Sequence, residues 1–103
     1  MVTYPVRVPR NPYRGNDAKK RAKAYEDNQY AALIEATANR LIQAQKRAVQ
    51  SYLWMEISRE SQIDYEVVKR LGFSIDGGSN GFTAIKPGLS QEDYQRAMNG
   101  EDV

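Results

Sequence analysis

The side chains best equipped for chemistry in this chain are cations, and they crowd one end. Arg7, Arg10, Arg14, Lys19, Lys20, Arg21 and Lys23 share the first 25 positions with a single carboxylate, Asp17. From Phe73 onward the balance reverses, with Lys86 and Arg96 against Asp76, Glu92, Asp93, Glu101 and Asp102, so the net charge of +2 hides a gradient. A basic leader ahead of a near-neutral body is a common footprint for phosphate backbones, because each phosphate neutralised releases condensed counterions. The same charge would also suit a solvated tail that only aids solubility.

Other chemistries lack their parts. The 103 residues include no cysteine and no histidine, which removes disulfides, thiolate nucleophiles, the usual zinc ligand and the usual neutral-pH base. Asp76-Gly77-Gly78-Ser79-Asn80-Gly81 begins like a calcium loop, but Gly78 replaces the third ligand and Pro87 stands where the bidentate glutamate belongs. No Gly-Lys-Ser/Thr follows those glycines, so they do not form a P-loop. Glu56 and Glu60 share a helical face, yet a chain this short has little room for a deep acid–base cleft, and they read as solvated residues. The expectation is a non-enzymatic binding protein without metal or cofactor. No apolar run approaches the ~18 residues of a membrane span, and Met1–Arg10 lacks the apolar stretch of a signal peptide, which points to the cytoplasm and away from membranes.

The elements that must position the cations follow from periodicity. Length and a 41% hydrophobic content fit one domain with one core. Pro5, Pro9 and Pro12 keep residues 1–15 extended or disordered, as a basic arm. Asn16 or Asp17 caps a helix that meets neither proline nor glycine from Ala18 to about Gln50. Along it Ile34, Ala38, Leu41, Ile42, Ala48, Val49, Tyr52 and Leu53 recur at helical spacing, a stripe suited to core packing or to a dimer seam. Asp17–Gln29 is poor in apolar residues, so the start of the helix should project from the body. Trp54–Gln62 and Asp64–Leu71 read as two short helices around a tight turn at Gln62-Ile63. Phe73–Asp76 and Phe82–Lys86 alternate apolar and polar residues about Gly77–Gly81, the pattern of a β-hairpin over about 73–86. Ser90 opens a capping box for a last helix to Met98, closing a domain over 16–98, with 99–103 as an acidic tail. Trp54, Phe73 and Phe82 read as core aromatics.

Helix, short helix, turn, helix, hairpin is the order of a winged helix-turn-helix. The segment Ile57-Ser58-Arg59-Glu60-Ser61-Gln62-Ile63-Asp64-Tyr65-Glu66-Val67-Val68-Lys69-Arg70-Leu71 resembles the two-helix unit of that superfamily. Ile57, Ile63, Val68 and Leu71 take its buried positions, Ser58 its close-approach position, and the hairpin would be the wing. Gln62 stands where the superfamily usually carries glycine, so it must tolerate the turn geometry at some cost. The resemblance spans about residues 34–87 and is one of fold, to no specific family. It implies a mainly α protein with a small β-hairpin, winged helix-turn-helix-like, behind a long N-terminal helix.

The resemblance also implies a nucleic-acid partner, duplex DNA before RNA, and a regulatory or accessory role. Asp64–Leu71 would be the recognition helix, with Tyr65, Lys69 and Arg70 facing bases or phosphates, and Ser79 and Asn80 at the wing tip donating to phosphate. The seven arm cations would lie along the backbone or in the minor groove. Asp64 and Glu66 do not favour a polyanion. They suit the alternative, a protein-interaction module or inhibitor that docks on a partner, or on a second copy, through the long helix.

Overall fold

The computed structural model describes residues 1–76 and 80–100. Its elements in order are β1 (Val2–Thr3), α1 (Ala18–Ala44), β2 (Val49–Leu53), α2 (Trp54–Ser61), α3 (Tyr65–Asp76), β3 (Gly81–Ile85) and α4 (Gln91–Met98). The protein is therefore mainly helical, with a small three-stranded mixed sheet ordered β1-β3-β2. None of the described helices is long and apolar enough to cross a membrane.

Asp17 starts α1 as expected, its carboxylate accepting from the Lys20 amide at 3.0 Å. The helix stops earlier than its propensity suggests. Gln45 turns to extended backbone and is buried, with Nε2 donating to the carbonyls of Arg47 (2.9 Å) and Ala84 (3.2 Å) while Oε1 accepts from the Tyr52 hydroxyl at 2.7 Å. That network commits the next residues to the sheet. Ile34, Ala38 and Ile42 of the stripe are fully buried in the chain's own core, whereas Val49 and Tyr52 belong to a strand and Leu53 is half exposed. A helix-period pattern thus concealed a helix followed by a strand.

The hairpin expected over 73–86 is not formed. Phe73–Asp76 continues α3, because Val67, Leu71 and Ile75 return every fourth residue to the core; the spacing that read as alternation is helical. Phe73 consequently points outward, 56% exposed, and is not a core aromatic. The antiparallel partner of β3 is β2, with Val49 opposite Ile85 and Tyr52 opposite Phe82, and β1 pairs parallel on the other edge with Val2 opposite Ala84. Gly77, Gly78 and Ser79, the expected wing tip, lie outside the described residues, as do Glu101 and Asp102 of the expected tail. A side chain at Gly81 would collide with the Tyr52 carbonyl, so glycine is required where the strands meet.

The core is built around Trp54, which is fully buried, 5.4 Å from the Phe82 ring and covered by α3 where a Cβ on Gly72 would come within 2.8 Å of the indole. The α2–α3 corner matches the sequence expectation closely. Gln62 adopts the left-handed conformation (φ 60°, ψ 28°), Ser58 Oγ donates to the Ile63 carbonyl at 2.6 Å, and Ile57, Ile63 and Val68 are buried. Ser90 caps α4 through the Asp93 amide at 3.1 Å.

Candidate nucleic-acid interface

The arm is extended, but it belongs to the folded body. Three side chains on one face of α1, at positions 28, 35 and 39, pair with its backbone. Asn39 accepts from the Val6 amide (2.8 Å) and donates to the Val6 carbonyl (3.1 Å). Glu35 accepts from the Val8 amide at 2.9 Å, and Asn28 accepts from the Asn11 amide (2.6 Å) and donates to its carbonyl (3.0 Å). These groups do for the arm what a neighbouring strand would do, which frees the alternate side chains of Val6 and Val8 to enter the core. Arg7 and Arg10 stay outside, drawn to Glu35 at 4.0 and 3.4 Å. The Val8 amide, followed by the two guanidinium charges, holds the Glu35 carboxyl below its ordinary pKa.

Beyond Asn11 the arm turns back into α1 around Tyr13. Its amide donates to Asn11 Oδ1 at 3.0 Å, its hydroxyl accepts from the Asp17 amide at 3.2 Å, and Gly15 packs against its ring. Tyr13 and Asn11 form walls common to two grooves. One, about 550 Å³, runs past Ala18, Arg21, Ala22, Tyr25 and Asn28; the other, about 300 Å³, is floored by Lys19, Lys20 and Lys23. Arg14, Lys19, Lys20 and Arg21 are exposed and form no ion pair among the described residues. Four cations without an ion pair, Arg14 at the end of the arm and Lys19, Lys20 and Arg21 in the first turn of α1, make a field that attracts polyanions.

Asp27 joins this ridge to α3. Only 13% exposed, it accepts Lys23 Nζ at 3.2 Å from its own helix and both Arg70 nitrogens at 3.0 and 3.3 Å. The Arg70 hydrogen bonds, then Lys23, lower its pKa despite the opposing cost of burial. Arg70, expected to face a ligand, thus bridges α1 and α3 as a strut while its side chain stays about half exposed. Lys69 is exposed on α3, with Nζ 6.0 Å above the ring of Tyr65, which is half-buried against the core. Tyr65 also shares a shallow hollow of about 310 Å³ with Leu53, Met55 and Asn80. Asn80 is exposed, and its carbonyl accepts from the Trp54 amide at 2.9 Å. The two glutamates weighed as a pair are employed separately, Glu56 accepting from the Leu53 amide and Glu60 bridging to Arg40.

Sequence reasoning overlooked Asn11, Tyr13, Tyr25, Asp27 and Asn28. A signal was present for some of them, since Ala18, Arg21, Ala22, Tyr25 and Asn28 fall on one helical face with small residues between the large ones. Searches against protein-family models, curated proteins and solved structures give no match to this chain, so its own residues carry the functional reading.

Proposed function

We propose that this protein binds nucleic acid, duplex DNA in the first place, as a regulatory or accessory factor with a winged helix-turn-helix-like body. The observation that carries the proposal is Asp27. Because one carboxylate receives Lys23 from α1 and Arg70 from α3, the cation-rich amino half of α1 is fastened directly to α3, the helix that also carries Tyr65 and Lys69. The succession α1, β2, α2, α3, β3 and the left-handed turn at Gln62 support the superfamily resemblance. A strand hairpin after α3 is absent among the described residues, so the wing is not part of the proposal.

In this arrangement α3 presents Tyr65 and Lys69 to the groove or its phosphates, and Asn80 stands beside them. Arg14, Lys19, Lys20 and Arg21 supply sequence-independent affinity, with Arg7, Arg10 and Lys23 contributing less because Glu35 and Asp27 already hold them. The test is fluorescence anisotropy with a labelled duplex across a salt series. Changing Arg14, Lys19, Lys20 and Arg21 together to glutamine should flatten the slope of log K against log salt by up to about 3.6, near 0.9 for each phosphate that is no longer neutralised. An unchanged slope would exclude the ridge as the binding surface.

Docking on a partner protein is the second reading, and the half-exposed Leu53 and Met55 beside Tyr65 favour it. On α1 itself Ile34, Ala38 and Ile42 are buried within the chain, which leaves the half-exposed Leu33 as the apolar side chain that helix offers a partner. Light scattering beside the anisotropy series separates the two for a second copy of the chain.

A further inference from the structure

The two grooves at the projecting end of α1 differ in kind, and their pairing suits a ligand that carries both rings and phosphates. One side offers three lysines, Lys19, Lys20 and Lys23. The other offers Tyr25, 68% exposed, with Arg21 one turn before it on the same helical face and Asn28 at the far wall. Tyr13 stands between them and is held by its bonds to Asn11 and Asp17, so its ring is a fixed partition. A tyrosine left in water at this position contributes little to the core. An aromatic face beside a cationic channel is how strands without pairing are held, since every base has a face to stack and every nucleotide a phosphate.

We infer that the Tyr13–Tyr25 groove and its lysine neighbour bind unpaired nucleic acid, with bases against Tyr25 and Arg21 and phosphates along Lys19 and Lys20, beside the Asp27-paired Lys23. This rests on the proposal that the ridge binds polyanions and adds that the strand held there is single. A duplex keeps its bases stacked on one another and has no ring to offer Tyr25; the ridge meets it through phosphates alone. The site thus distinguishes frayed or single-stranded segments from paired ones by stacking, with little dependence on sequence.

The experiment compares labelled oligothymidine of about a dozen nucleotides with a blunt duplex at one salt concentration, using the full chain. Tyr25→Ala, a change at an exposed position, should weaken oligothymidine binding about tenfold and leave the duplex within about twofold. Tyr25→Phe keeps the ring and should restore the single-strand affinity. Equal losses on both ligands, no loss on either, or duplex binding without oligothymidine binding would overturn the inference and leave the proposed function standing. Failure of the wild-type chain to bind either nucleic acid, or displacement of both by polyglutamate as readily as by oligothymidine, would overturn both.

Discussion

The two halves of α1 are chemically opposed. From Ile34 to Ala44 one face of the helix is embedded, with Ile34, Ala38 and Ile42 at zero exposure, and Gln45 just beyond it is tied to the sheet. From Ala18 to Tyr30 it packs less of its surface, with Ala24 buried and Tyr30 against the core, and its exposed positions include alanines, cations and Tyr25. Its first turn even lacks the acidic residues that would complement the helix dipole, although three cations follow within four positions of Asp17. The lesson is a division of labour along one element: the carboxyl half holds the fold together, and the amino half carries charge that stability alone does not ask for.

Mutation should expose that division. Ile42→Ala, in the embedded half, should cost about 2–5 kcal/mol in chemical denaturation, whereas Lys20→Gln in the projecting half should fall within about 0.5 kcal/mol of wild type. Comparable losses at the two sites would end the comparison.

The Asp27 strut is where the halves communicate with α3. Asp27→Asn should cost about 1–2 kcal/mol, reduced from the full value of a charged hydrogen bond because Arg70 is about half exposed. The strut and the Glu35 clasp should also confer acid sensitivity. Both carboxyl groups have folded pKa values below their ordinary ones, so the stability they contribute is present above about pH 4. It is lost as pH falls through the lowered folded values. Thermal melts between pH 7 and pH 3 should show a drop that is smaller in a variant combining Asp27→Asn with Glu35→Gln.

The smallest effect concerns the corner. Gln62 occupies a left-handed conformation that glycine adopts without penalty, so Gln62→Gly should raise stability by about 0.5–1 kcal/mol without altering nucleic-acid binding. A loss of stability would mean that the glutamine side chain supports the turn.

Much of the corner was legible because its signals are local. Ile57, Ile63 and Val68 stand out as apolar residues among polar neighbours on α2, the turn and α3, Gln62 sits where the turn must bend, and Ser90 announces its helix three residues ahead of Asp93. The basic leader was legible from charge alone. What failed was arbitration between periods. Val49–Leu53 and Phe73–Asp76 each fit helix and strand over so few residues that only their partners decide. For the first the partner is β3, aided by the Gln45–Tyr52 bond; for the second it is the core under Leu71 and Ile75.

By itself, then, the sequence determined the helical bulk, the caps, the corner and the charge gradient, since each depends on neighbours within a turn or two. The tertiary structure alone decided that the arm lies on α1, that Arg70 serves as a strut, and that Tyr13 and Tyr25 border one groove. Those pairings join residues 12 to 43 positions apart, for example Tyr13 with Tyr25 and Asp27 with Arg70. Such pairings are selected by burial and hydrogen-bond satisfaction across the whole chain, and no local pattern encodes them.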